Sequence, residues 1–471
     1  MNARITKLID INDYLTQNQS CVKSLVESVN VNGKEVKKIT LNDCLSCSGC
    51  ITTSESILVN NNSIENHFKI IKEEYSHENC FKIGILSYQS LESFLLLYKK
   101  IKNLEDNNMN YYTEIENIIA EILNIDYIIP LNNFILYTLN LCYSEFCEKN
   151  KKNDMGGMIC SECTGWICYA EKKIGKISFP FLSNIKSPHE ISSIIIKEMF
   201  IHYLKDKINI DKDLFICSIM PCFDKKIEPI KYNTGINSVI STIELEEKFE
   251  EKLKNEKSEA HNKIINIKTL YECLKSQKCS TIKEIKEYIN LNIKNNIDKF
   301  SLYEFPFEFN YSSNFYIEFF SLMIQDKYKD CLIERKNGKN NDSKEIIIYE
   351  DETKKKILFK FLLSYGMRNI NNIERKIKKK KIDYDFIEIM ACPGGCLNGA
   401  GQIKFDKINK TREEFFNQIS NELKKKEKPD LNLIKEKIKY IENIISELKI
   451  DISKFKQTFK ETGFSKSDFD W

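Results

Sequence analysis

The stretch Glu388-Ile-Met-Ala-Cys-Pro-Gly-Gly-Cys-Leu-Asn-Gly-Ala-Gly-Gln402 decides how the rest of the chain is interpreted. The apolar run Phe386 to Met390 predicts a short buried strand that stops just before Cys392 and Cys396. Two cysteines four positions apart can direct both sulfurs toward one bound group. The proline and glycines between them let the backbone approach that group closely. This is therefore a candidate metal-binding loop, and the alternative is a glycine-rich turn with two buried thiols.

The composition of the 471-residue chain restricts the class of protein. Its 71 basic and 68 acidic residues nearly cancel, which argues against nucleic acid or an acidic membrane as a partner. No stretch reaches the ~18 apolar residues of a spanning helix, and the N-terminus has no apolar signal core. We expect a soluble, cytoplasmic protein. Its 17 cysteines are then expected to be reduced thiols, with those that cluster bound to metal.

Short apolar runs alternate with helix-like segments from about Phe81 onward. The predicted strands are Phe81–Ser87, Ile125–Ile129, Lys212–Met220 and Phe386–Met390. Strands separated by helical spans predict an α/β fold with parallel pairing. The C-terminal part, Thr411 to Lys449, has helical periodicity and is expected to pack over these layers.

Three Lys/Asn/Glu-rich tracts are too polar to bury and are predicted to be surface insertions, some of them disordered. They are Glu247–Asn262, Glu334–Lys356 and Asn369–Lys381. The run Lys378–Lys381 is interpreted as a solvated charge run, and a nuclear signal is the alternative that it leaves open.

A first cysteine group, Cys44, Cys47 and Cys50, lies in two C-x-x-C steps in series. This spacing is typical of cubane iron–sulfur clusters, and zinc is the competing metal. Ser54 stands where a ferredoxin would carry its next cysteine, so a fourth ligand must come from elsewhere. Cys21 is the upstream candidate.

A second group is scattered along the chain: Cys163, Cys222, Cys392 and Cys396. Cys222 directly follows a predicted strand, as Cys392 does. Loops at the carboxyl ends of parallel strands converge on one crevice, so four thiolates there could hold a second cluster. Spacing alone does not group these four residues.

A family resemblance does group them. The chain contains Cys163-Thr-Gly-Trp, then Met-Pro-Cys222-x-x-Lys-Lys-x-Glu, then Met-Ala-Cys392-Pro-Gly-Gly-Cys396-x-Asn-Gly. These segments resemble, in the same order, the three signature motifs of iron-only hydrogenases. The chain is still more similar to the hydrogenase-like family of cytosolic iron–sulfur protein assembly factors (the nuclear prelamin A recognition factor-like family). That family shares Asp13-Tyr-Leu15, Cys21-Val-Lys23, the Cys44 to Cys50 segment and Trp166-x-Cys-Tyr-Ala-Glu-Lys172.

The resemblance implies two 4Fe-4S clusters. Cys21, Cys44, Cys47 and Cys50 would bind the first and are called here the N-terminal quartet. Cys163, Cys222, Cys392 and Cys396 would bind the second, buried cluster and are called the second quartet. The remaining cysteines match no ligand position and are expected to be packing residues or surface thiols; examples are Cys142, Cys147, Cys160, Cys168, Cys217, Cys273 and Cys331.

The resemblance also implies the function. An assembly factor would link the scaffold that builds 4Fe-4S clusters to the targeting complex that inserts them into cytosolic and nuclear proteins, without being an enzyme. An iron-only hydrogenase is one alternative, and a zinc-bound structural adaptor is another. Glu162 stands where hydrogenases carry a proton-relaying cysteine, which weakens the enzyme reading. Met220, Lys225 and Met390, which line the diiron pocket of those enzymes, are present, although a Lys225–Glu228 pair and core packing explain them equally well.

The chain ends in Asp468-Phe-Asp-Trp471. A terminal indole and carboxylate beside Asp470 suit capture in a groove. This ending resembles the C-terminal aromatic tripeptides by which proteins engage the cytosolic iron–sulfur targeting complex, so Asp470 and Trp471 are predicted partner-binding residues.

The expected architecture is hydrogenase-like, with two parallel-sheet lobes around a buried cluster and a small N-terminal cluster module. The predicted division is 1–75 for the iron–sulfur module, 76–205 with 357–410 for the first α/β lobe, 206–333 for the second lobe with a polar insertion, 334–356 for a low-complexity insertion, and 411–471 for C-terminal helices and tail.

Overall fold

The computed structural model describes the greater part of the chain. The described residues are 28–31, 34–37, 63–77, 79–104, 110–151, 156–205, 207–255, 263–276, 281–293, 315–338, 340, 342–405, 407–408, 414 and 430–460. The N-terminal quartet, Asp470 and Trp471 lie outside them.

Eleven strands lie in these ranges. They are β1 (Ser28–Val31), β2 (Lys34–Lys37), β3 (Phe81–Leu86), β4 (Tyr127–Pro130), β5 (Met158–Cys160), β6 (Leu214–Met220), β7 (Ser238–Ser241), β8 (Leu332–Asn337), β9 (Ser343–Tyr349), β10 (Ile357–Tyr365) and β11 (Phe386–Met390).

The described α-helices alternate with the strands. They are α1 (Ile64–Glu74), α2 (Tyr88–Lys102), α3 (Asn110–Ile122), α4 (Asn132–Lys151), α5 (Thr164–Tyr169), α6 (Pro188–Leu204), α7 (Ile210–Asp213), α8 (Glu228–Tyr232), α9 (Thr242–Asn255), α10 (Ile267–Lys275), α11 (Ile282–Ile293), α12 (Phe315–Lys327), α13 (Met367–Lys378) and α14 (Leu431–Glu447). No helix among the described residues is long and apolar enough to cross a bilayer.

The strands form two larger sheets and the small antiparallel hairpin β1–β2. One sheet is four-stranded and wholly parallel, in the order β4-β3-β6-β7. The other is five-stranded, in the order β5-β11-β10-β9-β8. Its strands β5, β11 and β10 are parallel, whereas β9 and β8 are added as an antiparallel hairpin. The α/β prediction is confirmed, with the correction that one sheet is mixed.

Burial explains why the central strands form. Every residue of β6 and of β11 is buried. A strand covered on both faces needs a continuous apolar run rather than an alternating one, which is what Leu214 to Met220 provides. The carboxyl ends of β6 and β11 therefore lie inside the molecule, and the loops that carry Cys222 and Cys392 begin there.

The sheets combine segments differently from the predicted lobes. Strands β3 and β4, assigned to the first lobe, pair with β6 and β7 of the second; Ile83 lies opposite Ile216. Strand β5 pairs with β11 in the mixed sheet, and the predicted division placed both strands in the first lobe. The difference therefore concerns β3 and β4, which share one sheet with β6 and β7, strands more than 80 residues away that the prediction assigned to the other lobe.

The polar tracts are not simple insertions. Residues 334–356 form most of the β8–β9 hairpin, whose charged side chains are tolerated because it lies at the edge of the sheet. Helix α13 covers Asn369 to Lys378 and buries Ile370, Ile373 and Ile377 on one face. Lys378–Lys381 are exposed at its end.

The C-terminal helix α14 lies against α4, as its periodicity predicts. It buries Ile434, Ile438, Ile441 and Ile444. The segment after it, Asp451–Lys460, is called here the C-terminal strap because it crosses the loop before α6, where Lys456 forms an antiparallel bridge with Ile185.

Candidate metal centre

Three loops at the carboxyl ends of strands carry the second quartet. Cys163 follows β5, Cys222 follows β6, and Cys392 and Cys396 follow β11. Strands β5 and β11 are parallel neighbours, with Cys160 opposite Glu388, so their loops leave the same edge of the mixed sheet. The loop after β6 comes from the parallel sheet and contacts the loop after β11, where the Gly401 N–H donates to the Pro221 carbonyl, so the site combines loops of both sheets.

The four thiols of the second quartet are near one another. Burial raises the pKa of Cys396 well above its ordinary value, and the negative charges of Glu162, Cys163, Cys392 and Cys222 raise it further. Burial also raises the pKa of Cys163, and the negative charge of Cys222 raises it further. Cys163 is buried, and the other three are partly exposed.

Two consecutive glycines shape the loop between Cys392 and Cys396. Gly394 and Gly395 have φ values of 74° and 73°, a left-handed conformation that favours glycine. The Gly395 N–H donates to the Cys392 carbonyl at 3.0 Å. The Gly394 N–H donates to Asp342 Oδ1 at 2.6 Å, which ties the loop to the start of β9. The turn folds the segment from Cys392 to Cys396 into one tight loop.

A third glycine, Gly399, allows the β11 loop to contact the β6 loop. A Cβ atom on Gly399 would lie 2.3 Å from the Pro221 carbonyl oxygen and 3.0 Å from that of Cys396. Two residues later, the Gly401 N–H donates to the same Pro221 carbonyl at 3.0 Å. This close backbone contact holds Cys222 beside Cys396.

We therefore expect Gly399→Ala to push the two loops apart. The overpacking should lower the free energy of unfolding by about 1–3 kcal/mol, and the iron held by the second quartet should fall. Thermal unfolding and iron analysis measure both effects. Gly235→Ala is the matched control: its φ of 85° and a Cβ 2.9 Å from Lys197 Cδ should also strain the fold, but it precedes β7, at the end of that strand away from the cysteine loops, so the iron content should not change. Equal iron content in wild type and Gly399→Ala would contradict this role of Gly399.

A buried ion pair lies beside the cysteines. Lys225 Nζ donates to Glu228 Oε1 at 2.7 Å and to the Glu162 carbonyl at 2.7 Å. Both side chains of the pair are almost fully buried. Glu162 Oε1 in turn lies 3.8 Å from Cys396 Sγ. The ammonium thus neutralises part of the negative charge that four thiolates would bring to the site.

Glu228 organises the polar side chains behind this pair. It accepts hydrogen bonds from Thr164 Oγ1 at 2.6 Å, Ser187 Oγ at 2.9 Å and His189 Nδ1 at 2.8 Å. Burial raises the pKa of Glu228, but Lys225 and the His189 hydrogen bond outweigh burial and lower it to about 2. Burial lowers the pKa of His189, so the ring is neutral and its Nε2 accepts from Ser218 Oγ at 2.8 Å.

The donor set fits a cubane cluster. Four cysteine thiolates are the ligands of a 4Fe-4S cluster, and each binds a different iron atom. Metal binding removes the thiol protons that burial otherwise retains on Cys163 and Cys396. Among the described residues, no group of three or more His, Cys, Asp or Glu is arranged around a single metal ion. A cubane does not need such an arrangement, because its thiolates surround four irons.

Comparison with known proteins decides the family. The family model described as iron only hydrogenase large subunit, C-terminal domain, matches residues 105–400, more than half of the chain. A Dictyostelium discoideum protein named probable cytosolic Fe-S cluster assembly factor narfl is 30% identical over 481 residues, with 85% of each chain covered. This chain belongs to the hydrogenase-like family of cytosolic Fe-S cluster assembly factors. A Drosophila melanogaster member, probable cytosolic Fe-S cluster assembly factor CG17683, is 26% identical over 444 residues, 85% of this chain and 84% of the relative.

Solved structures show that the assembly-factor family shares its fold with the enzymes. A variant of the [FeFe]-hydrogenase HydA1 from Chlamydomonas reinhardtii superimposes with a TM-score of 0.58, covering 84% of this chain and 98% of that one. Its sequence identity is 16%, so the likeness concerns the fold. The hydrogenase-like architecture predicted from the motifs is confirmed.

The structure includes the residues on which the choice between assembly factor and hydrogenase depends. Met220 and Met390 are each 1% exposed and close β6 and β11 as core residues. Lys225 is paired with Glu228, as the sequence suggested. Glu162 is buried beside Cys396, and burial raises its pKa. The Thr164 hydroxyl donates a hydrogen bond to Glu228.

Sequence reasoning missed the residues behind Glu228. Ser187 and His189 come from the start of α6 and lie far from every cysteine motif in sequence. No motif or spacing in the sequence links His189 to Glu228. The cysteines left out of the two quartets are mostly buried; Cys142 Sγ, for example, lies 3.8 Å from Ser183 Oγ and Cys273 Sγ 3.8 Å from the Ile285 carbonyl.

Proposed function

We propose that this chain is a cytosolic iron–sulfur assembly protein that binds two 4Fe-4S clusters and links the assembly scaffold to the targeting complex. The observation that supports the proposal is that Cys163, Cys222, Cys392 and Cys396 lie in the loops after β5, β6 and β11, in a chain whose relatives are named cytosolic Fe-S cluster assembly factors. The N-terminal quartet supplies the other cluster.

The surroundings of each quartet determine which role its cluster would have. A bound 4Fe-4S cluster supplies one-electron redox chemistry and a transferable iron–sulfur unit. The second quartet is enclosed by the loops after β5, β6 and β11, and Lys225 lies beside it. Burial and a nearby cation limit solvent access and stabilise anionic sulfur. We assign a structural role to this cluster and an exchangeable role to the N-terminal one.

Anaerobic purification tests the metal assignment. Iron and acid-labile sulfide in equal amounts, together with the EPR signal of reduced 4Fe-4S clusters, would support it. A zinc adaptor would give zinc without sulfide and would overturn it. Cys44→Ala separates the two roles, because it should abolish client maturation while the second quartet still binds iron. Normal maturation with the N-terminal cluster missing would contradict the exchangeable role.

A hydrogenase is the second candidate function. The fold match and the retained Met220, Lys225 and Met390 favour it. Anaerobic hydrogen evolution, measured after reconstitution with a synthetic diiron complex, distinguishes the two functions. We expect none above the protein-free control, since Glu162 replaces the thiol that relays protons in the enzymes. Sustained turnover would replace the assembly proposal.

The C-terminal tail gives a separate prediction about the partner. Deletion of Trp471 is expected to weaken binding to the targeting complex at least tenfold, because a terminal aromatic in a groove is a typical affinity anchor. Pull-down or calorimetric titration with the purified complex measures the effect. The matched control is Ser467→Ala, which lies before the terminal tripeptide and leaves Phe469, Asp470 and Trp471 intact. Unchanged affinity after loss of Trp471 would show that the tail is not the anchor.

A further inference from the structure

A small polar cavity lies directly behind the second quartet. Its volume is about 10 Å³, which is room for the centre of one water molecule. Glu162 and Thr164, the two neighbours of Cys163 in sequence, form part of its wall. Glu190, Tyr232 and Gln457 form other parts. No step of the proposed cluster binding uses these last three residues.

Two buried polar atoms of this wall have no hydrogen-bond partner. They are Glu190 Oε1 and Tyr232 Oη. Glu190 is 1% exposed, and its other oxygen, Oε2, accepts from the Ser187 N–H at 3.1 Å. A buried polar atom without a partner costs free energy, so native proteins normally satisfy it with protein or with water. The two atoms point to a ligand with both donor and acceptor capacity and the size of a single water molecule.

The protonation of Glu190 agrees with this ligand. Burial raises its pKa to about 8, and the charge of Glu228 acts in the same direction, against the Ser187 N–H, Lys225 and Lys186. Burial thus favours the protonated carboxyl at neutral pH. Because Oε2 accepts from the Ser187 N–H and Oε1 has no partner, Oε1 is the oxygen available to a ligand in the cavity. Water can bond to Oε1 and to the Tyr232 hydroxyl as well.

The C-terminal strap closes one side of this cavity. The Gln457 N–H donates to the Asn184 carbonyl at 2.7 Å. Its side-chain Nε2 donates to the carbonyls of Ile185 at 3.1 Å and Ser183 at 3.3 Å. Phe455, two residues earlier, is fully buried and anchors the strap. Removing the Gln457 side chain would open the cavity toward the surface of the strap.

We propose that this cavity binds one ordered water molecule between Glu190 and Tyr232, and that Gln457 closes the side of the cavity from which further solvent would reach Cys163, the buried member of the second quartet. The first part depends only on the protein. The second rests on the proposed function, since it requires a cluster on those cysteines.

High-resolution crystallography of the anaerobically purified full chain tests the water site. Density for one water within hydrogen-bond distance of Glu190 Oε1 and Tyr232 Oη is expected, and an empty cavity would overturn the first part. Tyr232→Phe gives an independent readout. If the hydroxyl holds a water, its removal lowers the melting temperature. If the cavity is dry, removal of an unsatisfied hydroxyl leaves the melting temperature unchanged or raises it.

Chelator kinetics test the closure. Gln457→Ala is expected to increase the rate of iron loss from the second quartet to an Fe²⁺ chelator at least fivefold, measured in a Cys44→Ala background that removes the N-terminal cluster. The control Ile452→Ala changes the strap at a side chain that is 51% exposed and should leave the rate unchanged. Equal rates in Gln457→Ala and the parent overturn the closure. If the Cys44→Ala chain itself binds no iron, the result contradicts the proposed function instead. The water site would still be tested by the electron density and by Tyr232→Phe.

Discussion

Cys396→Ala is expected to reduce bound iron from about eight atoms to about four per chain, with an equal loss of labile sulfide. Cys396 is the member of the second quartet whose pKa responds to the charge of the three others, which places it near all of them. Three thiolates leave one iron of a cubane without a protein ligand. The measurement is iron and sulfide content after anaerobic reconstitution, with EPR to show that the remaining signal comes from one cluster.

The control for this experiment is Cys217→Ala. Cys217 is fully buried in β6, five residues before Cys222, but it belongs to neither quartet. The Cys217→Ala variant should keep the full iron content even if it is less stable than the wild type. Loss of half the iron from Cys217→Ala, or full retention by Cys396→Ala, would contradict the assignment of the second quartet.

Glu228→Gln is expected to lower the free energy of unfolding by about 3–5 kcal/mol. The substitution keeps the shape of the side chain but leaves the buried Lys225 ammonium without its carboxylate. It also weakens the hydrogen bonds from Thr164, Ser187 and His189. Urea unfolding of the cluster-free chain at neutral pH measures the change without interference from metal binding.

Glu350→Gln provides the matched control. Glu350 pairs with Lys356 at 2.7 Å, but both side chains are largely exposed, so the expected loss is below about 1 kcal/mol. The pH dependence gives a second check. Because the pKa of Glu228 is lowered from 4.5 to about 2, its stabilisation is present above pH 4.5 and is lost as pH falls toward 2. The difference between wild type and Glu228→Gln should therefore shrink over that range. Similar losses for both substitutions would argue against a special role for the buried pair.

Long apolar runs made the central strands predictable from sequence. The prediction of Phe386–Met390 agrees with β11 at both ends, and Lys212–Met220 includes all of β6. These strands are buried on both faces, so their residues are mainly apolar, with Ser218 in β6 and Glu388 in β11 as the buried polar exceptions. The family motifs then grouped four cysteines that follow three different strands, although Cys163 and Cys396 lie more than 200 residues apart.

Other features left no comparable signal in the sequence. Strand β5 has three residues, too few to show a period, yet it positions Cys163. The hairpin of β8 and β9 is polar because one of its strands lies at the sheet edge. The pairing of β3 with β6 joins segments about 130 residues apart and depends on tertiary packing, which local propensity does not encode. The Glu190–Tyr232 cavity arises from loops that meet only in the folded chain.

The charged edge strand β8 has a consequence for self-association. Its outer half, Glu334 to Asn337, carries both acidic and basic side chains, and Arg335 also pairs with Glu318. At the opposite edge of the same sheet, Leu182 bridges Ile159 and occupies part of β5. Exposed sheet edges otherwise recruit strands from other molecules and start aggregation. The charges of β8 and the bridge at β5 thus oppose the extension of this sheet into a neighbouring copy of the chain at high protein concentration.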